Sequence, residues 1–157
     1  MRRRERADPT ARLRRVRALP PTPAALPELI RALADPSTDI VSAALTALAH
    51  IGGAAEAEHL RGMLLTVDLG LVPDVAATLR TLGDRAAVPA AVAGLADSSL
   101  GTRMAAATVL GVLGDPAAVA PLAAALADPI AGVRRCALTA LAQIGPAPDV
   151  EAACAPL

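Results

Sequence analysis

The sequence predicts an all-α protein, a right-handed α-solenoid of about four two-helix repeats with an N-terminal cap helix. Three observations carry this expectation. Gly52, Gly83, Gly114 and Gly145 stand 31 residues apart. Each follows a branched apolar residue (Ile51, Leu82, Leu113, Ile144) and has a leucine four positions upstream (Leu48, Leu79, Leu110, Leu141). Within each period the apolar residues recur at spacings of three, four and seven, which places them on one face of a helix. A fixed period of roughly 20–50 residues marks stacked supersecondary units, none able to bury its apolar face alone.

Residues 1–21 form an Arg-rich tail and a cap. The first seven residues read as disordered. Asp8 then caps a short helix over residues 9–18, with Pro9 in its first turn and Leu13, Val16 and Leu19 facing the first repeat. Pro20-Pro21-Thr22-Pro23 ends that helix and opens the array at residue 22.

The array divides into units 22–52, 53–83, 84–114 and 115–145. Helix A of a unit starts after a capping side chain, as in Thr22-Pro23, Asp84-Arg85 and Asp115-Pro116. Its apolar columns are Leu26, Ala57, Val88, Val119; Leu29, Leu60, Ala91, Leu122; and Leu33, Leu64, Leu95, Leu126. It closes at Asp35-Pro36, Asp97-Ser98 and Asp128-Pro129, where the aspartate makes a turn. Helix B buries Ala44, Val75, Ala106, Ala137; Leu45, Ala76, Ala107, Leu138; and the four leucines of the repeat signature. The glycine column is expected to end helix B in the left-handed conformation. Unit two departs from this pattern. It has Thr66-Val67-Asp68 in place of the Asp-Pro turn, Gly62 inside helix A, and Pro73, which forces helix B to begin a residue or two late. After the fourth unit, residues 149–157 match the opening of a partial fifth helix.

Composition narrows the function. The chain has no aromatic residue, so base stacking, cation–π cages and aromatic hot spots are unavailable to it. Zero net charge conceals an asymmetry: residues 1–17 carry +6 and residues 18–157 carry −6. A mildly acidic array does not suit a phosphate backbone. The uncharged runs break after about a dozen residues, short of the roughly 20 a membrane span needs. Cys136 and Cys154 lack metal-ligand spacing, which suits reduced thiols and a cytoplasmic location.

The fourth unit reads Val119-x-Pro121-Leu122-x3-Leu126-x-Asp128-Pro129-x3-Val133-Arg134-x2-Ala137-x3-Leu141-x2-Ile144-Gly145, and the third repeats Leu95, Asp97, Arg103, Ala106, Leu110 and Gly114. These residues resemble the HEAT repeat of the short bacterial, phycobilisome-lyase-like type. The resemblance covers residues 22–157. It implies a structural Asp–Arg ladder between neighbouring units, restricted here to Asp97, Arg103, Asp128 and Arg134, because Val41 and Val72 replace the arginine and unit two has lost the aspartate. It also implies that the B helices line the concave side.

No catalytic, cofactor or metal site is expected. His50 and His59 flank a junction with Glu56 and Glu58, but HEAT-like enzymes that hold iron use repeated His-Glu dipeptides, and this chain has none. The candidate partner-binding residues lie on the outward B stripe: Ser42, Thr46, His50, Thr81, Met104, Thr108, Val112, Arg135, Thr139 and Gln143. This small, neutral, partly apolar stripe suits a protein or peptide, so the expected role is a non-catalytic interaction scaffold or adaptor. One alternative is binding of nucleic acid or an anionic membrane through Arg2, Arg3, Arg4, Arg6, Arg12, Arg14, Arg15 and Arg17. Another, which the resemblance implies, is a bilin-lyase-like accessory subunit. An uncapped C-terminal end would also permit homo-oligomers.

Burial of the leucine column predicts that Leu110→Ala costs about 2–5 kcal/mol. Chemical denaturation checks this, and a variant no less stable than wild type refutes the column assignment.

Overall fold

The computed structural model describes residues 8–145. The disorder expected for residues 1–7 and the partial fifth helix over 149–157 lie outside the described residues. Among those described there are nine α-helices and two single-turn 3-10 helices, with no strand. Helix α1 (Pro9–Arg17) precedes four A/B pairs: α2 (Leu26–Ala32) with α3 (Thr38–Ile51), α4 (Ala54–Met63) with α5 (Val72–Thr81), α6 (Ala87–Gly94) with α7 (Leu100–Leu113), and α8 (Val119–Ala125) with α9 (Ala131–Ile144).

Each helix B packs on its own helix A and on the B helices of adjacent units, whereas A helices of neighbouring units touch little. The B layer is therefore the tighter, inner side of an α-solenoid. Small residues line these interfaces: Ala44, Ala76, Ala106, Ala107 and Ala137 are fully buried, and Ala106 faces Gly94 of helix α6. Gly111 extends the same principle. A Cβ there would lie 2.8 Å from Ala140 Cα and 2.9 Å from Ala140 Cβ, so only glycine lets α7 and α9 approach this closely.

Helix α1 packs on α3 as each B helix packs on the B helix of the next unit. The Oδ1 atom of Asp8 accepts from Thr10 N–H at 2.9 Å, Pro9 stands in the first turn, and Val16 is buried against α3. The expected cap over the first repeat is thus present.

The leucines at 48, 79 and 110 are fully buried, as are Leu29, Leu60 and Leu122 of the A helices. Two column assignments fail at the last described unit. Leu138 is 62% exposed and Leu126 is 39% exposed, although their equivalents Leu45, Ala76, Ala107, Leu33 and Leu64 are buried. Those inner positions are covered by the following unit, and no described residue lies beyond α9 to do the same.

The glycine column is also not uniform. Gly83, Gly114 and Gly145 have positive φ, but Gly52 has φ −72° and ψ 162°. At Gly83 a Schellman closure forms, with Asp84 N–H donating to the Leu79 carbonyl and Gly83 N–H to the Arg80 carbonyl. Gly52 instead leads into the extended Gly53, and a Cβ on it would sit 2.7 Å from the Leu48 carbonyl oxygen. Its requirement is space rather than a left-handed backbone.

Helix A opens through a 3-10 turn at Pro23–Ala25 and at Pro116–Ala118. Asp84 and Asp115 cap as expected, each Oδ1 accepting a backbone N–H two residues on; Thr22 makes no side-chain cap bond. In unit two, α5 starts at Val72 with Pro73 in its first turn, three residues behind the register of α7. The turn aspartate of this unit is displaced rather than lost. Asp68 Oδ1 accepts from Gly70 N–H at 2.8 Å, the bond that Asp35, Asp97 and Asp128 make to Ser37, Ser99 and Ile130.

The ladder is also longer than the resemblance implied. Arg103 Nε donates to Asp128 Oδ2 at 2.8 Å, the expected rung. A second rung joins the cap to the first unit, where Arg12 Nε donates to Asp35 Oδ2 at 2.9 Å and Arg12 Nη2 to Asp35 Oδ1 at 3.2 Å. Arg61 of α4 reaches Asp84 at 2.8 Å, tying units two and three on the A side. Asp97 has no rung from unit two, where Val72 stands in the arginine's place and is itself buried in the core.

Two expectations follow from this packing. Gly111→Ala, which forces a methyl against Ala140, should cost about 1–3 kcal/mol in denaturation with the helical spectrum unchanged. The ladder also makes stability acid-sensitive. At Asp35 burial pushes the carboxyl pKa up, but the Arg12 hydrogen bond, the Ser37 N–H and the Arg12 charge outweigh it and hold the carboxyl below its ordinary 3.8. The Arg103 hydrogen bond, with the Ile130 N–H, does the same for Asp128. Both carboxyls bind protons more readily in the unfolded chain, so their stabilisation is complete above about pH 5 and is lost as pH falls through the lowered values. The melting temperature should hold from pH 7 to about 5 and fall below about pH 4, less steeply in Asp128→Asn.

Candidate functional site

Spacing of four residues along α3 and α5 places Ser42, Thr46, His50, Ala77 and Thr81 on one face of each helix, where the two helices enclose a groove of about 220 Å³. A second groove, of about 410 Å³, runs along the other side of α3 against Val16, Arg17 and Leu19. Ser42 and Thr46 line both, so α3 forms a ridge with a groove on either flank. Four of the ten stripe residues expected from the period, Ser42, Thr46, His50 and Thr81, thus meet around one groove.

Hydroxyl chemistry gives this surface its character. Thr46 Oγ1 donates to the Ser42 carbonyl at 2.9 Å, Thr81 to Ala77 at 3.0 Å, Thr108 to Met104 at 2.9 Å and Thr139 to Arg135 at 3.0 Å. Each threonine turns its proton back on its own helix, four residues upstream. Ser42 Oγ donates to Asp74 Oδ2 at 2.7 Å across the groove. The stripe therefore has its hydroxyl protons engaged internally, and the threonines contribute methyl groups to the face.

The remaining stripe residues lie towards α9. Met104, Thr108 and Val112 are half-buried on α7, with the Met104 sulfur in van der Waals reach of the Gly132 face of α9. Arg135, Thr139 and Gln143 are exposed on α9. The Gln143 side-chain oxygen lies over the notch at Gly111.

Three residues absent from the expected site belong to this surface. Asp74 lines the first groove and Asp39 the second, giving the unit-one and unit-two end of the face two carboxylates. Arg80 Nη1 donates to the Val112 carbonyl at 2.9 Å and crosses from α5 to α7. None stands in a stripe column. Asp74 is reached from Ser42 across 32 residues of sequence, one more than the 31-residue period.

The basic tail divides. Arg2, Arg3, Arg4 and Arg6 lie outside the described residues. Arg12 is held by Asp35 and Arg15 by Glu28, while Arg14 and Arg17 are exposed on α1. His50 and His59 are exposed, and among the described residues no group of three or more His, Cys, Asp and Glu side chains is placed to hold a metal ion. No helix among them is long and apolar enough to cross a membrane.

Comparison with known proteins agrees with this architecture. The family model described as HEAT repeats matches residues 74–142 and 88–157, together more than half of the chain. Among curated proteins, none matches it. Of the solved structures, human deoxyhypusine hydroxylase in complex with glycerol superposes with a TM-score of 0.54 at 31% identity, over 76% of this chain and 43% of the hydroxylase. The chain thus spans less than half the length of that enzyme.

Proposed function

Because the chain belongs to the HEAT-repeat family, we propose that it is a non-catalytic scaffold or adaptor holding a protein or peptide segment along its inner helices. One observation carries this reading: the inner face is grooved, and its threonine hydroxyls are turned inward on their own helices. Such a face offers methyl groups, shallow clefts and few donors, which suits an extended or helical polypeptide better than a polar metabolite or a phosphate backbone. Asp39 and Asp74 favour a partner with a basic residue opposite α3 and α5.

The carboxylates and guanidiniums of the array support a structural assignment. Asp84 and Asp115 are helix caps, Asp35, Asp97 and Asp128 are turn formers, and Arg12, Arg61 and Arg103 bridge units. The likeness to the hydroxylase is therefore read as a shared helical-repeat framework. On the 31-residue period and the Asp-Pro turns we assign the repeats to the short bacterial type, and on the lone thiols we place the protein in the reducing cytoplasm.

Met104→Glu sets an unpaired carboxylate in the middle of the face. An immobilised wild-type chain should capture a partner from native host extract, and Met104→Glu should lose it with unchanged circular dichroism. Equal capture by the variant overturns the assignment of the inner face.

A further inference from the structure

The two grooves beside α3 differ in how their charges are engaged. In the groove against α5, the Asp74 carboxylate already accepts from the Ser42 hydroxyl at 2.7 Å. In the groove of about 410 Å³ against α1, Arg17 and Asp39 are both exposed, and among the described residues neither has a hydrogen-bond or ion-pair partner. Arg12, one turn into α1, meets Asp35 just ahead of α3, and Val16 and Leu19 line the same groove as Ala43 and Ala47, farther along both helices. The two helices therefore run side by side in one direction. Asp39 stands in the first turn of α3 and Arg17 in the last turn of α1, so the groove has a carboxylate at one end and a guanidinium at the other. Between these charges the floor is apolar, formed by buried Val16 and partly buried Leu19, Ala43 and Ala47. Ala43 and Ala47 stand one turn apart, and their small side chains let a further helix come close.

We propose, building on the reading of the inner face as a peptide-holding scaffold, that this groove seats an amphipathic helix of a partner protein, antiparallel to α1 and α3. That helix presents an acidic side chain in its first turn to Arg17 and a basic side chain about two turns later to Asp39. Charge complementarity fixes its direction, since the reversed helix would set base against Arg17 and acid against Asp39. The helix dipoles agree. Both α1 and α3 point their positive ends towards the Asp39 end of the groove, where an antiparallel helix brings its negative end. Acid early and base late is also the arrangement that the partner helix's own dipole favours. From Asp39 to Ala47 the groove follows about 12 Å of α3, so the partner's acid and base stand about seven or eight residues apart. The apolar floor calls for apolar residues between them at helical spacing.

The probe is a labelled, alanine- and leucine-based helical peptide of about 18 residues, with a glutamate early and an arginine about seven residues later; its isomer exchanges the two. Titrated with the full chain at low ionic strength, the first peptide should bind saturably and about fivefold more tightly than the isomer. In a chain carrying both Arg17→Asp and Asp39→Arg the preference should invert, with circular dichroism unchanged. Should that variant misfold, Arg17→Gln alone, at an exposed position, should bring the two peptides to within about twofold of each other. Absence of binding by either peptide, equal binding of the two, or a preference indifferent to these substitutions overturns the proposal. Binding that emerges only when Arg2, Arg3, Arg4 and Arg6 are changed to Gln would put the chain's own tail in the groove, and overturns it equally. A host partner captured alike by the wild type and the doubly substituted chain, but lost by Met104→Glu, would reject this groove while leaving the inner-face scaffold in place.

Discussion

The close seam between consecutive B helices is the constraint on which this structure depends. Without aromatic residues, the core is assembled from leucine, valine and alanine, and it reaches native density only if the helices come near one another. Alanine at 76 and 107 and glycine at 111 suit that approach, and Ala106 faces Gly94 in the seam between α7 and its own helix A. The A helices, which touch their neighbours less, then splay outward. The curvature of the array and the grooves of its inner face both follow from this unequal spacing of two layers.

The polar contacts act on that seam rather than replacing it. Each rung of the ladder joins the start of one B helix to the turn that introduces the next, so it sets the register between units. The exposed ion pairs contribute little energy individually. Their value is geometric, since an arginine anchored on two turn carbonyls can meet only a carboxylate at one place. The cap shows the same device with different sequence. Arg12, from a helix outside the repeat, reaches Asp35 as Arg103 reaches Asp128. Unit two lacks an arginine on either side of the join and has the displaced turn at Asp68, and its A-side link through Arg61 and Asp84 compensates.

Much of the inner surface was legible in the period. The columns place Ser42, Thr46, His50 and Thr81 on one stripe, and these meet at one groove. What the columns could not convey was the direction of each hydroxyl, because a threonine donates to its own helix or to a partner according to its rotamer. Asp39, Asp74 and Arg80 escaped for another reason. Asp74 and Arg80 lie one position off the columns and Asp39 three residues before Ser42, so no column contains them.

By itself the sequence determined the fold class, the repeat boundaries, the buried leucine and alanine columns and the delayed start of α5, because each is a matter of local periodicity or of proline's missing N–H. Tertiary structure decided the remainder. It showed that Gly52 is needed for clearance rather than a left-handed backbone, that Arg12 belongs to the ladder, and that Leu126 and Leu138 stand exposed. Such outcomes depend on which unit covers which, and a column of identical letters cannot record whether a neighbour is there.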